Sequence, residues 1–356
     1  MRCRIVADGG GVELSLLDAR DEVVLSVEEV FDLSMRVLTR HGLSDAQARP
    51  LARAMAAAER DECRSHGLQR LPGCLDTMGH PRFNKDADPQ AKDVSAAVTS
   101  IDADFGYSLL AFERGLEPLV AKAKVLGISI LTINNCFHST ALWPEVEAIT
   151  AHGLAALVMN PSHSWVAPAG GSGPVLGTNP IAFGWPRKDR ASYVFDFATS
   201  AAARAEIALH RREGKPIPPG WGIDSDGKPT TDPHAVLSGA MLTFGGHKGS
   251  ALATMVELLA GPLIGGMTSM QSMAFDGDAK AAPCHGELVI AFNPALLGAE
   301  SVENNHEAAE ALFAAIENQG ARLPSERRYL ARERSAANGV SVARELHDRI
   351  LALIAD

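Results

Sequence analysis

Ile128-Ser129-Ile130-Leu131-Thr132-Ile133 is an apolar, β-branched run that passes straight into Asn134-Asn135-Cys136-Phe137-His138-Ser139-Thr140. Its length and branching predict a strand. Upstream, Ser108 to Leu126 reads as a long helix that Gly127 stops. Downstream, Trp143 to Ala151 reads as a helix and Leu154 to Met159 as a second strand. That order is a βαβ unit, so the chain is predicted to be α/β with part of its sheet parallel. His138 then lies between a strand end and a helix start, the edge of an α/β sheet where ligands bind.

The flanking segments extend the pattern. Ser26 precedes Glu29 as a capping box, and Val27, Val30, Phe31, Met35 and Leu38 recur at helical spacing until Gly42. Ser44 with Gln47 repeats the device before an Ala-rich helix carrying Leu51, Ala54, Met55 and Ala58. Residues 1–25, with Gly9-Gly10-Gly11 and no period, read as an extension. Leu71-Pro72-Gly73 predicts a turn, Pro81 to Pro89 a polar loop and Val94 to Ile101 a strand. Asn160 to Asn179 is rich in Gly, Pro and Ser and too long for an ordinary connection, which marks a functional loop. Strands are predicted over Ile181 to Trp185, Tyr193 to Phe197 and Glu287 to Phe292. Helices are predicted from Ser200 to about Arg212 with Thr199 or Ser200 as cap, and over Lys248 to Ala260, Val302 to Asn318 and Val342 to Ile354. Gly214 to Pro233 reads as a further loop.

The 356 residues are 46% hydrophobic and 21% charged, a globular composition. A formal net charge of -10 disfavours non-specific nucleic-acid binding. No apolar run reaches the roughly 20 residues that span a bilayer, and Met1 to Arg20 lacks a signal-peptide core, so the expected setting is cytoplasmic. Cys3, Cys63, Cys74, Cys136 and Cys284 are scattered without a C-x-x-C pair, against disulfide scaffolding or thiolate zinc. Cys63 is expected to be a small buried helix residue rather than a nucleophile. No metal pattern is present.

Two clusters carry chemistry. Gly245-Gly246-His247-Lys248-Gly249-Ser250 runs into an apolar helix, placing N–H groups and a cation where an anion binds. Its Lys precedes the Gly, which is not the Walker order, and taken alone it reads equally as a capped helix. Arg64-Ser65-His66-Gly67 with Arg70 gathers a hydroxyl, an imidazole and a guanidinium, a set suited to proton transfer beside a carboxylate. A lone histidine is more often structural; the adjacent Ser and nearby Arg narrow that gap. No Rossmann fingerprint occurs, because Gly171-Ser172-Gly173 lacks both spacing and a strand-to-helix turn.

Five motifs occur in register: Arg64-Ser65-His66-Gly67 with Arg70, Pro72 and Gly73; His138 before Ala141-Leu142-Trp143-Pro144; Gly177-Thr178-Asn179-Pro180-Ile181-Ala182-Phe183-Gly184; Phe195-Asp196 with Ala198-Thr199-Ser200; and Gly245-Gly246-His247-Lys248-Gly249. As a set, from about Ser26 onward, they resemble the malate/L-lactate dehydrogenase-like family of NAD(P)-dependent oxidoreductases. His138-Ser139-Thr140-Ala141-Leu142-Trp143-Pro144-Glu145 looks most like its Δ1-piperideine-2-carboxylate/Δ1-pyrroline-2-carboxylate reductase branch.

The resemblance implies a non-Rossmann, L-sulfolactate/malate dehydrogenase-like α/β fold, a mixed sheet with flanking helices plus a helical N-/C-terminal substrate-side domain. It implies domains of 26–120 together with 285–356 (helical, dimerisation and substrate side) and 121–284 (NADP-binding), after the 1–25 extension. The implied reaction is NADPH-dependent reduction of a cyclic 2-imino acid to L-pipecolate or L-proline, with NADH possible, in a homodimer. By motif, Ser65, His66 and Glu206 would be catalytic, and Arg70, Thr178, Arg204 and Ala205 would face the substrate. His138, Ser139, Thr140, Ala141, Leu142, Asp196, Phe197, Ala198, His247, Lys248 and the loop Arg322-Leu323-Pro324-Ser325-Glu326-Arg327 would hold the cofactor. Arg204-Ala205-Glu206 departs from the family, which has Gly then usually Asp at the last two positions. Alternatives are a malate- or lactate-type 2-hydroxy-acid dehydrogenase and a non-catalytic cofactor-binding protein. Arg187, Arg322 and Arg327 are candidates to read the ribose 2′ position.

Overall fold

The computed structural model describes residues 21–138, 140–298 and 302–355. Cys3, Gly9-Gly10-Gly11 and Ser139 lie outside them. The chain opens with β1 (Glu22–Leu25), α1 (Val27–Arg40) and α2 (Asp45–Arg60). Two 3-10 turns, Arg64–His66 and Leu68–Arg70, lead into α3 (Leu71–Met78). Then come β2 (Gln90–Asp93), β3 (Val98–Asp102), α4 (Ser108–Leu126), β4 (Ile128–Phe137), α5 (Trp143–Thr150) and β5 (Ala155–Met159). They are followed by β6 (Ile181–Trp185), β7 (Tyr193–Phe197), α6 (Arg204–Glu213), β8 (Gly222–Ile223), α7 (Pro233–Ser238) and β9 (Ala240–Met241). The rest is α8 (His247–Ala260), α9 (Ser269–Asp276), β10 (Cys284–Phe292), α10 (Pro294–Leu297), α11 (Val302–Glu317), α12 (Glu326–Asn338), β11 (Val340–Ala343) and α13 (Arg344–Ala355).

Seven strands form one sheet in the order β2-β3-β4-β10-β5-β6-β7. Only β3 and β4, joined by α4, are parallel neighbours; the other pairs are antiparallel. The sheet is therefore mixed, as expected, but the βαβ unit that pairs directly is β3-α4-β4. β4 and β5 also run the same way, with β10 inserted between them. One face, under α4 and α5, buries Leu131, Ile133, Val158, Ala182, Val194, Val289 and Ala291. The other packs Met159, Ile181 and Leu288 against Val256 and Ala260 of α8, but leaves Ile130, Leu157, Phe195 and Ile290 half-exposed.

The terminal segments form the helical layer. Val30, Val37, Leu51, Met55 and Leu71 share a core with Val340, Val342 and Ile350. β1 pairs with β11, so the last four residues assigned to an extension are structural. The domain limits at 120/121 and 284/285 fall inside α4 and β10, and the sheet runs across both.

Several local expectations are corrected. The Ser26–Glu29 capping box is present, but Ser44 makes no side-chain cap. Gln47 is drawn away instead, donating to Asn84 O and accepting from Tyr107 N. Leu71-Pro72-Gly73 opens α3, because proline is tolerated in a first helical turn. Of the predicted 94–101 strand only 98–101 are extended, within β3, and 94–97 form the turn of the β2–β3 hairpin. Thr199 and Ser200 do not cap α6, whose cap is Ala203; their hydroxyls donate to Thr178 O and Ala202 O. Cys63 lies past the end of α2, half-buried, with its thiol pushed up by burial. Among the described residues no disulfide joins Cys63, Cys74, Cys136 and Cys284. No single helix among the described residues is long and apolar enough to cross a membrane.

Candidate active site

The Ser65-His66 segment owes its path to the end of α2. Glu62 takes a left-handed φ of 55°, and Glu59 reaches forward to accept Leu68 N at 2.7 Å. A Cβ at Gly67 would stand 2.1 Å from Glu59 Oε1, so that position admits only glycine without displacing the carboxylate. Ser65 Oγ lies 3.1 Å from His66 Nδ1 and fixes the ring. Burial, with the Arg70 cation beside it, pulls the half-buried imidazole down to about 4. His66 is therefore neutral at pH 7 in the free protein.

His138 joins them from the end of β4. It is buried, with Nε2 2.9 Å from Thr140 Oγ1 and Nδ1 against the Asn160 amide. Burial drives it well below its usual value, reinforced by His285, His66 and Arg70. Residues 66, 70 and 138 thus occupy one electrostatic neighbourhood. His285, pushed down to about 3 by burial, stands behind, its ring 5.7 Å from that of His138.

Strand β7 organises the second group. Asp196 accepts Leu142 N at 2.8 Å and Trp143 N at 3.0 Å, so its carboxylate caps α5. Thr178 O accepts from Thr199 N and Oγ1, and Thr199 O accepts from Phe244 N at 3.0 Å, which ties the 177–180 and 244–248 segments to the chain after β7. Ser325 Oγ donates to Val194 O, while Arg328 lies 4.2 Å over the Trp143 ring and acts on the Asp196 charge. The segments around 142, 178, 196, 247 and 325 therefore converge on β7. Leu142 contributes backbone there, since its side chain is buried in the core.

The Gly-rich turn before α8 is built for a close approach. Gly245 and Gly246 have φ of 57° and 59°, and a Cβ at Gly249 would sit 2.0 Å from Phe244 O. No side chain caps α8, and His247 and Lys248 are exposed beside its first turn. Such a helix start fits a phosphate.

Other candidates are placed differently. Glu206 is exposed on α6, and among the described residues no hydrogen bond or ion pair joins its carboxylate to His66. Ala205 is exposed, and Arg204 stacks 4.6 Å from the Trp165 ring centroid. Arg187 is held bidentately by Glu310 at 2.8 and 2.6 Å, whereas Arg322 and Arg327 are exposed. Sequence reading missed Asn160 and Trp165, although both fall in the long loop it marked as functional. It also missed Glu257, the buried acceptor for Asn179 Nδ2 and Ser269 N that fastens that loop to α8.

The malate/L-lactate dehydrogenase family model matches residues 25–351. Among curated relatives, the Δ1-pyrroline-2-carboxylate reductase of Pseudomonas fluorescens is 58% identical over 332 residues, covering 93% of this chain and 99% of its own. The Δ1-pyrroline-2-carboxylate/Δ1-piperideine-2-carboxylate reductase of Pseudomonas aeruginosa is 54% identical over 330 residues, covering 93% and 99%. Among solved structures, the Δ1-piperideine-2-carboxylate reductase of Pseudomonas syringae superposes with a TM-score of 0.89 at 40% identity, covering 93% of this chain and 99% of that one. Sulfolactate dehydrogenase of Methanocaldococcus jannaschii gives 0.81 at 26%, covering 93% and 96%. With its motifs in register, its non-Rossmann mixed sheet and a match along nearly its whole length, the chain belongs to the malate/L-lactate dehydrogenase family of oxidoreductases.

Proposed function

We propose that this chain reduces a cyclic 2-imino acid, Δ1-pyrroline-2-carboxylate or Δ1-piperideine-2-carboxylate, to the cyclic amino acid with NADPH. The observation that carries the reading is the meeting of His66, Arg70 and His138 in a chain more than half identical to reductases of these compounds. A family of dehydrogenases and reductases uses a nicotinamide cofactor, and the residues present fit one. Gly245 and Gly246, in left-handed backbone with open space around them, leave room for a phosphate at the uncapped start of α8. Arg322 and Arg327, exposed beside the Ser325 turn, are the cations we assign to the extra phosphate of NADPH; Arg187 is already engaged by Glu310. Asp196 acts by capping α5 and shaping the 138–142 segment.

Bound nicotinamide would supply the hydride to the C=N carbon. Arg70 would hold the substrate carboxylate, which fixes that carbon in place. The same carboxylate would offset the cation that depresses His66, so substrate binding returns the imidazole toward holding a proton. His66 would then hold or deliver that proton at the imine nitrogen, preventing negative charge there. Ser65 orients the ring, and Thr178 and Arg204 would border the substrate. Glu206, exposed and, among the described residues, without a hydrogen bond or ion pair to His66, is left out of this relay. Reduction with NADPH carrying deuterium at the transferable position should place one deuterium at C2 of the product; label appearing only in solvent would overturn hydride transfer to C=N.

The oligomer we assign is a homodimer. Ile130, Leu157, Phe195 and Ile290 form a half-exposed sheet face, Phe197 on β7 is 42% exposed, and α8, which packs on that face through Val256 and Ala260, leaves Leu258 57% exposed. Exposed apolar surface of this kind marks an interface. Sedimentation should give a dimer that Leu258→Asp weakens; a wild-type monomer would contradict this.

A further inference from the structure

Glu145 on α5 and Glu287 on β10 are 1% and 0% exposed, and none of their four carboxyl oxygens has a hydrogen-bond partner. Glu287 alternates with Val289 and Ala291, the strand positions under α4 and α5, and Glu145 stands on α5 itself. Both carboxyls therefore lie in the layer between α5 and the sheet, close enough for Glu287 to act on the charge of Glu145. Two bare carboxylates in that layer would cost far more than two neutral acids.

We propose that Glu145 and Glu287 form a pair of core carboxylic acids whose protonation holds the start of α5, and with it the Leu142–Trp143 turn on Asp196, in place. They are positioning residues, and the link to cofactor rests on the proposed role of that turn.

The nearby cations are engaged elsewhere: Arg328, over Trp143, acts on Asp196, and with Arg332 it pairs with Glu147 on α5. Asp196 on β7 adds a further acid and takes both N–H groups of the turn. Cys136 on β4 and Cys284 on β10 are thiols pushed up by burial, the latter to about 12. His138 and His285 are held neutral, and β5 and β6 carry no titratable residue. Glu257 on α8 is engaged by Asn179 and Ser269, and Asp276 on α9 by Lys280 N and Ala281 N. On α4, Glu113, Arg114 and Lys122 pair outward with Arg53, Asp88 and Asp93, and Glu117 and Lys124 are exposed. No cation acts on either core carboxyl.

Burial raises both acids, Glu287 to about 8. An unfolded glutamate ionises near pH 4.3, so stability falls as pH rises from there through the folded value and then levels off. The histidines and thiols around the pair keep their charge state between about pH 6 and about pH 9, which leaves the glutamates to respond.

The test is melting of the ligand-free protein, and NADPH dissociation constants, at about pH 6 and about pH 9 for wild type, Glu287→Gln and Glu145→Gln. Wild type should lose roughly 3 °C or more across the range, and either Gln variant at most half of that. NADPH affinity should weaken ~5-fold with pH in wild type and less in the variants, tracking the melting shift. Gln variants whose melting follows pH as wild type does would overturn the acid pair. Melting as expected with pH-independent NADPH affinity would overturn its hold on the turn. Failure of all three proteins to bind NADPH at either pH would refute the cofactor reading, and the melting curves would still decide the pair.

Discussion

His66→Ala should lower kcat for cyclic-imine reduction by ~10²–10⁴-fold, the range of a lost general acid, while the NADPH dissociation constant stays within about twofold. The two effects separate because the His66 ring takes its hydrogen bond from Ser65 in its own 3-10 turn, whereas the segments that converge on β7 are fastened by Asp196 and Thr178. Its partners, Ser65 and Arg70, belong to the same short stretch, so truncation leaves the cofactor side undisturbed. Steady-state kinetics with a fluorescence titration of NADPH measures both quantities. A parallel loss of turnover and NADPH binding would make His66 a structural residue. Arg70→Met is the useful contrast: with the carboxylate clamp removed, KM should rise more than kcat falls.

Much of this arrangement was legible in the sequence because its signals are local. Ser108 to Leu126 with its Gly127 stop, and the strands at 181–185 and 193–197, read directly from period and punctuation. The Ser65-His66 cluster was legible because its chemistry is contiguous, and the glycine turn at 245–249 because left-handed backbone calls for glycine. What escaped depended on distant partners. Nothing near residues 284–292 says that this strand inserts between β4 and β5, since sheet order is fixed by pairings about 150 residues apart in the chain. The Ser44–Gln47 pattern looked like a cap until Tyr107 N and Asn84 O claimed Gln47. Glu145 entered the sequence reading only as the last residue of the His138-to-Glu145 segment; only tertiary packing buries it in the same layer as Glu287 with neither acid solvated. Glu206, expected beside His66 from its place in a motif, stands exposed, and the loss of the glycine before it gave the warning.

On the proposed role of His66, substrate choice follows from its charge state. Reducing a 2-keto acid leaves an alkoxide that must take a proton from the enzyme. Charging an imidazole held at about 4 costs on the order of 3 kcal/mol more than charging a free one, and because burial is the larger cause, most of that penalty remains for the ketone reaction after the substrate carboxylate offsets Arg70. A cyclic imine can arrive with its nitrogen already protonated, and hydride addition then gives a neutral amine; His66 needs only to keep that proton in place. Both substrates carry the carboxylate that Arg70 would hold, so their binding should differ less than their turnover.

The most direct measurement is therefore kcat/KM for NADPH oxidation with Δ1-pyrroline-2-carboxylate and Δ1-piperideine-2-carboxylate against pyruvate and oxaloacetate, in one buffer near neutral pH. The imines should exceed the keto acids by at least ~10²-fold, the rate equivalent of the His66 charging penalty. Equal or faster turnover of either keto acid would contradict the account and place the chain with the 2-hydroxy-acid dehydrogenases of its family.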